Sequence, residues 1–148
     1  MNLTHTVKAF QELSLNELYA LLKLRVEVFA VEQNCVYQDL DGKDQVCYHV
    51  MLHLDDELVG YSRLVPAGVS YAEVAIGRVI TAASVRGKGF GRTLMEYSIQ
   101  NCHKLWGEGP IRLSAQVYAK EFYDSLGFVA EGEEYLEDGI PHIEMLRE

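Results

Sequence analysis

The stretch with the most chemical content is Val79-Ile80-Thr81-Ala82-Ala83-Ser84-Val85-Arg86-Gly87-Lys88-Gly89-Phe90-Gly91-Arg92-Thr93-Leu94. A β-branched, apolar run leads into a glycine-rich turn. Beyond the turn, Met95, Ile99, Cys102 and Trp106 recur at helical spacing on one face. At a strand-to-helix junction the first helical amides have no intrahelical acceptor, and the positive end of the helix dipole lies behind them. Such a place suits an anion, most commonly a phosphate. Glycine lets the backbone come close to it without a Cβ in the way. Arg86, Lys88 and Arg92 add positive charge locally, in a chain whose net charge is −9. Two nucleotide-binding patterns fail here. G-x-G-x-x-G counted from Gly87 or Gly89 ends on Arg92 or Leu94, and in G-x-x-x-x-G-K-S/T the Gly87-Lys88 pair is followed by Gly89.

Arg86-Gly87-Lys88-Gly89-Phe90-Gly91 resembles the Gln/Arg-x-x-Gly-x-Gly/Ala signature of the GNAT superfamily of N-acetyltransferases. Downstream, Phe122-Tyr123-Asp124-Ser125-Leu126-Gly127-Phe128 resembles that superfamily's F-Y-x-x-x-G-F signature, in the expected order. Leu24-Arg25-Val26-Glu27-Val28-Phe29, Val31-Glu32-Gln33, Ile76-Gly77-Arg78-Val79 and Gly139-Ile140-Pro141-His142 are similar to the ElaA-like branch, so the resemblance covers nearly the whole chain. It implies that Arg86 to Gly91, with Arg92 and Thr93, wraps the pyrophosphate of acetyl-CoA. It also implies that Val79, Ile80 and Thr81 offer their backbone to the pantetheine arm like an added strand. Tyr118 is placed by it along the pantetheine or near the sulfur. No metal is implied.

Acetyl transfer to an amine needs a proton acceptor for the nucleophile, a polarised thioester carbonyl, a proton for the departing thiolate, and two substrates held together. The resemblance places Tyr123 near the CoA sulfur as general acid. It offers Glu73, just before the central strand, and Glu32, in the acceptor wall, as bases. His49 and His142 are further candidates, since an unperturbed imidazole titrates near neutrality. At the strand end where many relatives carry asparagine, this chain has Gln116 or Val117. The activity implied is transfer of an acetyl group from acetyl-CoA to a primary amine of a small molecule or peptide, by direct attack in a ternary complex. Two alternatives stand beside it. One is a non-catalytic CoA-binding module. The other is a different acyl donor such as succinyl-CoA, whose extra carboxylate needs a cation, for which Arg78 is the arginine at hand.

The elements that must position these residues follow from periodicity. Thr6 to Phe10 reads as a strand. Ser14-Leu15-Asn16-Glu17 is a capping box, and Leu15, Leu18, Leu22, Val26 and Phe29 then predict a helix to about Phe29. Val31 to Gln33 reads as a short helix or turn. Val46 to Leu54 and Leu58 to Val65 predict a hairpin across Asp55-Asp56-Glu57. Val74 to Ala82 is a strand, and the helix after the glycine loop ends at Gly107 and Gly109. Ile111 to Val117 is a strand, and Lys120 to Leu126 is a short helix stopped by Gly127. Phe128 to Leu136 and Ile140 to Leu146 pair across Asp138-Gly139. The order β-α-(α)-β-β-β-α-β-α-β-β mixes hairpins with a βαβ unit. It predicts an α/β (α+β) fold with a central mixed, mostly antiparallel sheet of six to seven strands and helices on its faces. The resemblance likewise implies one GNAT domain over residues 1–148.

Composition bounds the rest. With 148 residues, 49% hydrophobic and 24% charged, the chain suits one sizeable core and is not of the disordered type. No apolar run approaches a membrane span, and the N-terminus lacks a signal-peptide pattern, so cytoplasmic residence is expected. The negative charge disfavours nucleic acid and anionic membranes. Cys35, Cys47 and Cys102 form no Cys-x-x-Cys and read as reduced thiols. Asp39-x-Asp41-x-x-Asp44 departs from the EF-hand at its sixth and twelfth positions and reads as a polar turn, or as a wall attractive to a cationic substrate. His49 and His53 share one strand face without a third zinc ligand. The acidic run Glu131 to Asp138 reads as a solvated hairpin face. Relatives often dimerise, and the resemblance extends that expectation to a homodimer.

Overall fold

A computed structural model describes residues 2–148. β1 (Leu3–Ala9), β2 (Tyr48–Leu54), β3 (Glu57–Val65) and β4 (Val74–Thr81) form an antiparallel run. β5 (Ile111–Gln116) joins β4 in parallel, and β7 (Ile140–Arg147) lies between β5 and β6 (Val129–Glu137). The single seven-stranded sheet thus has the order β1-β2-β3-β4-β5-β7-β6 and is mixed, as the element order predicts. Three α-helices of the described residues flank it: α1 (Leu15–Arg25), α2 (Phe90–Trp106) and α3 (Lys120–Asp124).

Burial on both faces explains why the central strands are apolar at successive positions rather than alternating ones. Val50 and Leu52 of β2 pack with Leu94, Met95, Ile99 and Cys102 of α2. Met51, between them, packs on the other face with Leu21 and Leu24 of α1 and with Val28. β4 changes faces partway along. Ile76 belongs to the α2 core and Ile80 to the α1 core, although a regular strand puts residues four apart on the same side. The change is made by a β-bulge: Arg63 faces Gly77 while Tyr61 faces Ile80, and Arg78 adopts φ 51 within the extra residue.

The capping box at Ser14 forms. Ser14 Oγ accepts from the Glu17 amide at 3.0 Å and Glu17 accepts from the Ser14 amide at 2.8 Å. The buried stripe of α1 differs from the expected one. Leu21, Leu24 and Val28 are buried, whereas Leu15 is 86% exposed and Val26 47%. Leucines on adjacent faces permit two stripes, and the one used also carries Arg25 fully into the interior. From Val26 to Glu32 the helix continues with π spacing, closed by Gln33 N–H to Val28 O at 3.3 Å and Cys35 N–H to Ala30 O at 3.1 Å. The first strand begins at Leu3, earlier than expected, because its register against β2 continues to Leu54. The second begins at Tyr48, since Asp44–Val46 forms a 3-10 turn.

The acidic loop turns inward. Arg25 donates to Asp39 and Asp44 at 2.8 Å each, Arg63 donates to Asp41 at 2.8 Å and Asp44 at 3.0 Å, and Arg78 donates to Asp39 at 2.8 Å. Its three carboxylates are therefore held by three guanidiniums, which removes the reading of the loop as a wall for a cationic substrate. Burial alone raises the Asp41 carboxyl, but hydrogen bonds from Arg63 and the Lys43 amide override it and hold the group far below the usual carboxylate range. Asp44 is lowered in the same way, with Arg25 overcoming its burial. A folded value below the unfolded one gives stability that is present above the unfolded carboxylate pKa, about 3.9. That stability is lost as pH falls below it. We predict that urea unfolding shows a lower midpoint at about pH 3 than at about pH 7, and that Asp44→Asn shrinks this difference. Arg25→Met, which leaves Asp39 and Asp44 short of a partner, is expected to cost about 3–5 kcal/mol in the same experiment.

Candidate active site

β4 and β5 pair only at Val74 with Ile111 and Ala75 with Arg112. Beyond those two positions the strands part. β4 runs on to Thr81 and β5 to Gln116 with no ladder between them. The parting opens a cleft of about 820 Å³. Its walls include Ile76 to Thr81 on β4, Ser114 and Gln116 on β5, and Glu32 and Gln33 on the π-helical segment. Tyr123 of α3 and His142 of β7 also reach it. Val79, Ile80 and Thr81, the backbone expected to meet an extended ligand, are thus on the unpaired part of β4.

Arg86 to Gly91 forms the turn into α2. Gly89 is the N-cap residue with φ 80, and the Thr93 amide makes the first helical bond, to Gly89 O at 3.2 Å. The amides of the preceding helical positions therefore have no intrahelical acceptor. Gly87 also has a left-handed φ, 81, and a Cβ built on Gly87 or Gly89 meets nothing within 4 Å. These two glycines are required by conformation rather than by crowding, a different reason from the close approach read from the sequence. The cations of the loop diverge. Arg86 binds Glu32 and donates to Thr81 O at 2.9 Å, Arg92 donates to Ser125 Oγ at 2.9 Å, and Lys88 stands exposed. Phe90 is half-buried against the α2 core, and Thr93 Oγ1 donates to Gly89 O at 3.3 Å, which tightens the first turn.

Tyr123 lies in the cleft wall at the α3 end, set edge-on to Phe122 and Phe128 at centroid distances of 5.1 and 6.0 Å. Burial pushes its phenol up to about 12, with the neighbouring Tyr118 adding to the shift, so it keeps its proton at neutral pH. Tyr118 stands 82% exposed at the rim of the same cleft.

The four base candidates separate. His49 is fully buried under α1, bonded to Tyr61 Oη at 2.6 Å and Asp44 O at 2.9 Å, and it does not line the cleft. That corrects the expectation: its strand position faces the α1 side, where burial holds the imidazole below its ordinary value and favours the neutral ring. Glu73 lies outside the cleft lining and is clamped by two bonds of 2.9 Å from Arg112, which hold its carboxyl at about 2. At that value it is a weak proton acceptor. Glu32 lines the cleft but is engaged by Arg86. His142 also lines it, 7% exposed, with Nδ1 2.7 Å from Ile140 O and Nε2 3.4 Å from Glu137. Gln116, the last residue of β5, reaches across to Gln33 at 3.4 Å.

Glu137, Tyr135 and Ser114 were not singled out by sequence reasoning. Tyr135 hydrogen-bonds Ser114 and stacks on His142 at 6.1 Å, with 25° between the rings. A signal for them existed. The two-residue turn Asp138-Gly139, with φ 51 and 78, fixes the register that sets Tyr135 opposite His142.

An open notch between two parallel strands, with a helix start and its glycine turn at one end, is the architecture of an acyl-CoA-dependent acyltransferase of the GNAT type. The acetyltransferase (GNAT) domain model matches residues 12–148, and the chain belongs to that family. Protein ElaA of Escherichia coli (strain K12) is 46% identical over 139 residues, which is 93% of this chain and 91% of that protein. Among solved structures, an acyl-CoA N-acyltransferase from Pseudomonas aeruginosa superposes with a TM-score of 0.94 at 46% identity, covering 99% of this chain and 100% of that one. Escherichia coli ElaA superposes with a TM-score of 0.93 at 42% identity over the same shares.

Gly89→Ala forces an L-residue into a left-handed conformation, at a cost of about 1 kcal/mol. We predict a modest fall in thermal midpoint and a loss of CoA affinity, by calorimetry, larger than that fall alone explains. Gly91→Ala is expected to cost little in stability, since its Cβ would meet only Phe122 Cζ at 3.9 Å.

Proposed function

We propose that this chain transfers an acetyl group from acetyl-CoA to a primary amine of a small molecule or peptide, by direct attack with both substrates bound. The observation that carries the reading is the notch between β4 and β5. Backbone groups on the open edge of β4 need partners. An extended ligand with its own amides supplies them as an added strand does. Pantetheine is such a ligand, and its pyrophosphate end suits the amides opening α2 at Arg86 to Gly91. Both requirements meet in one molecule, and the residues present fit it.

Within that reading Val79, Ile80 and Thr81 bind the arm, and the backbone from Gly87 to Gly91 with the Lys88 side chain holds the anion, while Thr93 braces the first helical turn through Gly89 O. Tyr123 donates its proton to the leaving thiolate. An acetyl donor is favoured over succinyl-CoA by the state of Arg78, whose guanidinium is bound to Asp39 at 2.8 Å and so is not free for a further carboxylate. The acidic balance of the chain disfavours nucleic acid as a partner.

The test is thiol release when acetyl-CoA is mixed with a panel of primary amines, including a lysine-containing peptide. Tyr123→Phe is expected to lower kcat about 10²-fold while calorimetric CoA affinity stays within about threefold. With the phenol pushed up to about 12, the wild-type rate should not fall through its ionisation at any pH well below that value. CoA binding without turnover across the panel would instead establish a non-catalytic module.

A further inference from the structure

The face of the sheet opposite α2 carries a polar cluster that the donor half of the reaction does not use. His142 of β7 is paired with Gln116 of β5 on one side and Tyr135 of β6 on the other, so all three side chains share this face. The backbone carbonyl of Ile140 lies 2.7 Å from His142 Nδ1. A carbonyl only accepts, so Nδ1 carries the proton, and the neutral ring keeps its lone pair on Nε2. Nε2 lies 3.4 Å from Glu137 Oε2. A lone pair and a carboxylate form no bond, so this contact becomes attractive only when Nε2 gains a proton. Tyr135, stacked on the ring and tied to Ser114, restrains its rotation.

We infer that His142 is the proton acceptor for the attacking amine, and that Glu137 stabilises the imidazolium that forms. The inference rests on the acetyl-transfer reading and deepens it. The other candidates are committed elsewhere: Glu32 to Arg86, Glu73 to Arg112, and His49 to the buried side of the sheet. In the step, the neutral amine nitrogen bonds to the thioester carbon and the carbon–sulfur bond breaks. One amine proton passes to His142 Nε2, and the thiolate takes the phenolic proton of Tyr123. Solvent then returns a proton from His142 to Tyr123, so the protein ends as it began. The charged and titratable groups on this side of the cleft include Glu137 and Tyr135 of β6, Asp138 of the turn, Glu144 farther along β7 and bound to Arg112 at 3.2 Å, Tyr71 beneath Arg112, and Glu32 and Cys35 on the opposite wall.

Two measurements on the full chain test this. Long-range ¹H–¹⁵N spectra of histidine-labelled protein, assigned with His142→Gln, are expected to show the neutral ring of His142 as the Nδ1–H tautomer. The Nε2–H tautomer overturns the inference. In thiol-release kinetics with acetyl-CoA and the amine panel, His142→Gln should lower kcat at least about 10²-fold and flatten the acid limb of the pH profile, with CoA affinity within about threefold. Added imidazole should restore part of the rate of His142→Ala, and Glu137→Gln should lower kcat with KM little changed. A wild-type rate and profile in His142→Gln overturns the inference while acetyl transfer stands. No thiol release from the wild-type chain with any amine overturns both. If His142→Gln does not fold, the tautomer spectrum, assigned with Tyr135→Phe, and the Glu137→Gln kinetics decide.

Discussion

A parallel pair of strands that closes for two residues and then opens leaves backbone donors and acceptors of β4 and β5 unpaired in the middle of a sheet. Unsatisfied backbone groups are costly inside a protein, so such an opening persists only where solvent or a ligand reaches it and the rest of the fold enforces it. The enforcement is visible on both sides. β4 is anchored to β3 and bulged at Arg78, while β5 is anchored to β7 along its whole length. The helix start and its glycine turn lie directly after β4, and α3 with Tyr123 follows β5. Each piece of candidate chemistry is therefore delivered by an element adjoining one edge of the notch.

The three arginines and three aspartates beneath α1 stabilise one wall of this opening. Arg78 lies in the bulge that turns β4, and Asp39, which binds it, also binds the fully buried Arg25 of α1. The bulge, the helix and the loop from Asp39 to Asp44 are thus parts of one charge network. Burying so much charge is tolerable only because each guanidinium has a carboxylate within hydrogen-bonding distance. Among the described residues the Nε of Arg63 has no hydrogen-bond partner.

The two faces of the sheet divide the labour around the notch. α2, its glycine turn and Tyr123 of α3 gather on one side. Gln116, His142 and the π-helical segment with Glu32 and Gln33 gather on the other face. The Arg86 to Glu32 contact spans the opening and links the two walls. The π spacing from Val26 to Glu32 shifts the end of α1 relative to a regular helix, and the shifted segment is the part that lines the cleft.

Much of this was legible in the sequence because the controlling physics is local. A capping box, left-handed glycines at a helix start, and an Asp-Gly turn act within a few residues, so Ser14, Gly87 to Gly91 and Asp138-Gly139 could be placed by type and spacing. The signature around Tyr123 pointed to the family for the same reason. What acts at long range was hidden. Which leucine stripe α1 buries depended on where Arg25 finds Asp39 and Asp44. The fate of His49 depended on which sheet face α1 covers, and that of Glu73 on Arg112, far along the chain. By itself, then, the sequence determined the order of elements, the glycine turn that opens α2 and the family. The tertiary structure alone decided which charges face the cleft and which are held by partners, because a carboxylate's chemistry is set by the groups that surround it in space.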